Sequence, residues 1–140
     1  MHLPNVNYLA VLVSGVVVFL LGGLWYSPML FSKRWVALQG KTEEEMRAAA
    51  RSSSMPMMYL TAFVCGLLVA WTLAAVLRHF FHMSAPRGAV IGAFCWLGFA
   101  AATSFPNAVF SMKPKALWLI DSGFNLVSFV IAGAILGAWR

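Results

Sequence analysis

Residues 116–130 read ALWLIDSGFNLVSFV, an apolar run that holds one aspartate, Asp121, with an asparagine, Asn125, four positions later. The run continues through IAGAILGAW to residue 139. As a helix rising 1.5 Å per residue, it is long enough to cross the roughly 30 Å hydrocarbon core of a bilayer. Its reading therefore decides the fold: either this is a membrane span carrying a carboxylate, or the chain is a soluble domain with an odd core.

Composition settles that choice. The 140 residues are 61% hydrophobic and only 10% charged, against about 25% charged in an average soluble domain. Mean hydropathy is +0.81. Three further apolar runs have spanning length, and none alternates with the two-residue period of a barrel strand. The sequence thus predicts an all-α bundle of four transmembrane helices, at about 7–26, 57–79, 88–107 and 116–139, forming one membrane domain over residues 1–140. The segment MHLPNVNY before the first run lacks a basic signal-peptide start, and the bulky pair Trp25-Tyr26 ends that run, so it is expected to stay as a span.

Four spans place both termini on one side. Seven Lys and Arg lie in the first and third connections (Lys33, Arg34, Lys41, Arg47, Arg51, Lys113, Lys115), and three on the other side (Arg78, Arg87, Arg140). The positive-inside rule then puts loop 27–56 in the cytoplasm and both termini outside, in what reads as a bacterial inner membrane. The net charge of +6 is explained by orientation, and no nucleic-acid partner is expected.

Within the loop, SPMLFSKRWVALQG mixes apolar, aromatic and basic residues in a manner suited to the headgroup region. After it, Thr42 followed by Glu45 makes a capping-box pattern, with acids in the first turn and arginines later. A short surface helix from about residue 43 to 51 is expected.

A carboxylate at membrane depth is disfavoured by roughly 2.5–3.5 kcal/mol, so Asp121 needs partners in the bundle interior. It lies six residues past Lys115, about 9 Å down the helix axis. Asn125 and Ser128 share its face. In the third span Trp96, Phe99, Thr103 and Asn107 form one helical stripe, and Pro106 is expected to loosen or stop that helix. The first and second spans bring Tyr26 and Thr61 to the same end. The expected polar cluster is Asp121, Asn125, Thr103, Asn107, Tyr26 and Thr61. It admits two roles: a hydrogen-bonded group that fixes helix register, or the lining of a cavity for a cation, a proton or a small polar ligand.

GAVIG (88–92) and GAILG (133–137) are GxxxG patterns, which makes Gly88, Gly92, Gly133 and Gly137 helix-packing positions, within one chain or between chains. Cys65 and Cys95 lie in different spans without CxxC spacing, and His79 and His82, near Met83, have no acid or cysteine beside them in sequence. No metal site or cofactor is expected from either set. Ser-His-Asp, HExxH, phosphate-loop and GxGxxG patterns are missing, so the chain does not read as an enzyme.

The stretch NYLAVLVSGVVVFLLGGLWYSPMLFSKRW (7–35), with LIDSGFNLVSFVIAGAILGAW (119–139), resembles the small membrane family known as domain of unknown function 1761. LWYSPMLF (24–31) is the most specific element. The resemblance implies a four-helix membrane protein and supplies no catalytic or binding residue. The expected function is an accessory or assembly subunit that packs with itself or within a larger membrane complex; the alternative is a small oligomeric transporter or channel for protons, cations or a small polar solute through the Asp121 cluster.

The basic-residue imbalance generates a direct expectation about sidedness. A cysteine placed at Gln39 should react with an impermeant thiol reagent only after the cytoplasmic face is opened, and one at Ser84 should react in intact cells. The opposite labelling pattern would invert the topology.

Overall fold

The computed structural model describes residues 2–140. In chain order the helices are α1 (Tyr8–Trp25), α2 (Ser32–Leu38), α3 (Glu43–Ser52), α4 (Met55–Leu77), α5 (Ala85–Cys95), a π-helical segment (Trp96–Ala101), α6 (Ala102–Phe110) and α7 (Lys115–Ala138). The described residues contain no strand. α1, α4, the continuous run Ala85–Phe110 and α7 are each long and apolar enough to cross a membrane. This is the architecture of an integral membrane protein.

Local chemistry accounts for several of the helix starts. Asn7 Oδ1 accepts the backbone N–H groups of Leu9 and Ala10, each at 3.1 Å, and so caps α1. Thr42 Oγ1 accepts the Glu45 N–H at 3.1 Å, which realises the first half of the capping box and starts α3 at Glu43. α5 begins after Ser84 with Pro86 in its first turn, where the missing proline N–H has no intrahelical partner to lose.

The tightest packing joins α5 to α7. A methyl group built at Gly88 would overlap the carbonyl of Gly133, one at Gly92 the carbonyl of Phe129, and one at Gly133 the carbonyl of Gly88. Gly137 lies against Ser84 and Gly88 in the same way. Both GxxxG patterns are therefore used within one chain, backbone against backbone. The buried core continues from there through Ala132 and Leu136 of α7, Ala70, Leu73, Ala74 and Leu77 of α4, and Ala10, Val11 and Val18 of α1. These residues occupy one half of the bundle. The other half, toward the C-terminus of α1 and the N-termini of α4 and α7, is filled by aromatic rings, including Phe19 edge-on to Tyr59 and Phe63. Small side chains bring α5 and α7 into backbone contact, and rings supply the packing toward the other end.

The third span departs from expectation. Pro106 lies inside α6, and the helix runs on to Phe110. The loosening falls one turn earlier, where the Ala102 N–H reaches back to the Leu97 carbonyl, five residues away. A proline ring clashes with the carbonyl four residues before it, here that of Ala102, and a wider turn just upstream relieves that crowding. The wider turn also rotates everything after it. The stripe expected from Trp96 through Phe99 and Thr103 is broken: Phe99 is 74% exposed, Thr103 is also exposed, and Ser104 takes the place facing α7.

Gly88→Leu and Gly133→Leu should each destabilise the protein by about 1–3 kcal/mol or more, because backbone must move to admit the side chain. Gly23, whose added methyl would meet nothing within 4 Å, is the control: Gly23→Ala should be neutral or stabilising by up to about 1 kcal/mol. Unfolding by sodium dodecyl sulfate in mixed micelles measures the difference; equal effects at all three positions would mean that the glycine contact does not set stability.

Candidate polar site at Asp121

α1 ends at Trp25 because Pro28 follows closely and the chain folds back on itself. Ser27 Oγ donates to the Leu24 carbonyl at 2.6 Å, and the backbone N–H of Phe31 donates to the Trp25 carbonyl at 3.2 Å. This turn lays α2 across the end of the bundle beside α7. Two donors then converge on one oxygen: Tyr26 Oη donates to Asp121 Oδ1 at 2.7 Å, and Trp35 Nε1 donates to the same oxygen at 3.0 Å. The Tyr26 and Trp35 rings pack edge to face, with centroids 5.5 Å apart, and Tyr26 also meets Phe124 at 5.7 Å. Asp121 thereby ties the end of α1 and the surface helix α2 to α7.

Indole donors surround this point. Trp25 Nε1 donates to the Ile120 carbonyl at 3.0 Å, and Trp96 Nε1 donates to the Ser122 carbonyl at 3.0 Å. Trp118 Nε1 donates to Ser104 Oγ at 2.9 Å, joining α7 to α6. Four of the six tryptophans thus bond to, or from, residues 118–122. Each packs a large apolar ring beside this stretch of α7 while its single N–H is satisfied.

Beside this clasp, α6 and α7 leave a cleft of about 250 Å³, whose polar lining includes Ser104, Asn107, Lys113, Asp121, Ser122 and Asn125. Ser122 is 4% exposed and its hydroxyl has no hydrogen-bond partner. A second, apolar groove of about 610 Å³ runs between α1, α4 and α7, with Phe19, Tyr26, Tyr59 and Phe129 in its walls. Asn125 borders both.

Of the six residues expected to cluster, Tyr26 contacts Asp121 directly, and Asn107 and Asn125 share its cleft. Thr61 and Thr103 are exposed and bond back to their own helices, Thr61 to the Met57 carbonyl at 2.8 Å and Thr103 to the Phe99 carbonyl at 2.6 Å. Thr103 is displaced by the π-helical segment, and neither threonine lines the cleft. Trp35, Ser104, Trp118 and Lys113 belong to the site and were not expected there. A tryptophan donor in a loop was the one available signal for Trp35. His79 and His82 lie in the exposed turn after α4, at the far end of the molecule. Among the described residues, no group of three or more His, Cys, Asp or Glu side chains is placed to hold a metal ion.

The family model described as "Protein of unknown function (DUF1761)" matches residues 9–137. The chain belongs to this family. The match spans both halves of the clasp, LWYSPMLF and the α7 run with Asp121. No curated protein and no solved structure matches the chain.

Asp121→Leu removes the acceptor for two donors at once and should destabilise the protein by about 1–3 kcal/mol or more. Asp121→Asn retains a carbonyl acceptor and should unfold close to wild type. Trp35→Phe should free α2, seen as faster proteolysis in loop 27–56 with the spans intact. Equal stability of the Leu and Asn variants would show that the Asp121 bonds do not hold the fold.

Proposed function

We propose that this chain is a non-enzymatic accessory or assembly subunit that packs with itself or within a larger membrane complex. The observation that carries this reading is the convergence of Tyr26 and Trp35 on Asp121 Oδ1. A carboxylate bonded in this way acts as a latch, and what it latches is the surface helix α2, against which α3 lies. α3 has no buried residue and carries Glu43, Glu44, Glu45, Arg47 and Arg51. A charged, solvent-facing helix carried next to a latched one suits recognition by another subunit. The apolar outer faces, including Leu60, Val64 and Leu68 of α4 and Val90 and Phe94 of α5, suit contact with lipid. The basic-residue imbalance supports a bacterial inner membrane location, with loop 27–56 in the cytoplasm and both termini outside.

The cleft beside Asp121 supports a second reading, a small oligomeric transporter or channel for protons, cations or a small polar solute. The two separate in one pair of measurements. On the assembly reading, protein extracted in mild detergent migrates as a defined complex well above its 15.3 kDa monomer mass, and Glu43→Lys combined with Arg51→Glu disperses it. Proteoliposomes then show no proton or monovalent-cation flux above protein-free controls. A wild-type flux abolished by Asp121→Asn would replace the assembly reading with transport.

A further inference from the structure

The cleft between α6 and α7 has a chemistry that its role as the edge of a latch does not use. Its oxygen-bearing side chains are Asp121, Asn107, Asn125, Ser104 and Ser111, and its one basic residue is Lys113. The donors already on Asp121 are a phenol and an indole, both neutral, so they orient the carboxylate without neutralising it. Asn107, Ser111 and Asn125 are exposed, so their side chains are open to a solute in the cleft.

We propose that this cleft binds a small soluble zwitterion, a primary ammonium joined by a short chain to an acidic group. One carboxylate with neutral amide and hydroxyl oxygens matches a single positive charge, whereas a divalent ion draws on more carboxylates. The cleft of about 250 Å³ is larger than a bare monovalent ion requires and lies just below the roughly 300–1,000 Å³ of pockets for drug-sized ligands. A primary ammonium offers three N–H donors to these acceptors. A quaternary ammonium would instead need an aromatic cage, and the one aromatic side chain lining the cleft is Trp118.

The acidic group is placed by Lys113. This residue sits in the turn between α6 and α7, while Asp121 lies about two helical turns into the span. The ammonium is therefore the deeper end and the acid the shallower one. That order selects a solute entering from the aqueous side. In an aminophospholipid the ammonium is the outermost group, and the molecule would have to fold its head back into the bundle to reach Asp121. The site holds independently of assembly, because binding needs only this chain.

Phosphoethanolamine is the probe, with phosphocholine, ethanolamine and inorganic phosphate as comparators, measured by calorimetric titration of the full chain in phosphatidylglycerol nanodiscs. Phosphoethanolamine should bind at least tenfold more tightly than each of the other three. Asp121→Asn should weaken phosphoethanolamine at least tenfold with thermal stability retained. The exposed Lys113→Gln should bring phosphoethanolamine down to the affinity of ethanolamine. Equal affinity for phosphocholine, undiminished binding in both variants, or no binding of phosphoethanolamine would overturn the proposal. Loss of probe binding on adding phosphatidylethanolamine to the nanodisc would overturn its assignment to a soluble ligand.

Discussion

Backbone contact between α5 and α7 is possible because both faces lack side chains at Gly88, Gly92, Gly133 and Gly137, and the rest of the bundle follows from it. In lipid there is no hydrophobic gain from bringing two apolar helices together, so close van der Waals approach supplies the attraction. Alanines at 10, 70, 74 and 132 extend the same principle to α1 and α4. Toward the opposite end, aromatic rings and polar groups take the place of these small residues.

A carboxylate is tolerated at Asp121 because two donors reach it. A lipid-facing position would leave it without partners. It meets Tyr26 and Trp35, while the indoles of Trp25 and Trp96 grip the α7 backbone on either side, at Ile120 and Ser122. The rings pack as apolar bodies while their N–H and O–H groups bond the polar atoms of α7. The cleft lies beside this clasp, and Asp121 belongs to both.

The third span shows how a single residue can move a site. Pro106 does not end its helix; it is accommodated by the wider turn over Trp96–Ala101, and that turn shifts the downstream face by about one residue, or roughly 100°. Ser104 then meets Trp118, and Thr103 turns outward. Asn107 remains at the cleft because it lies at its rim, where a rotation of the helix still leaves it within reach.

The sequence by itself determined the four spans, the cap that starts the helix at Glu43, the glycine faces, and Asp121 as the focus of the polar groups. Each rests on local composition or on a helical period read over a few turns, and such signals survive without knowledge of the neighbours. Tertiary structure decided the rest. That the GxxxG faces meet within one chain depends on which helices lie side by side, and no spacing along a single helix carries that information. Trp35 reaches Asp121 across 86 positions of sequence, through a turn whose direction is set by Pro28 and by the space beneath α2. The exchange of Thr103 for Ser104 depends on where a helix absorbs the strain of a proline, and here the wider turn lies upstream of the proline itself.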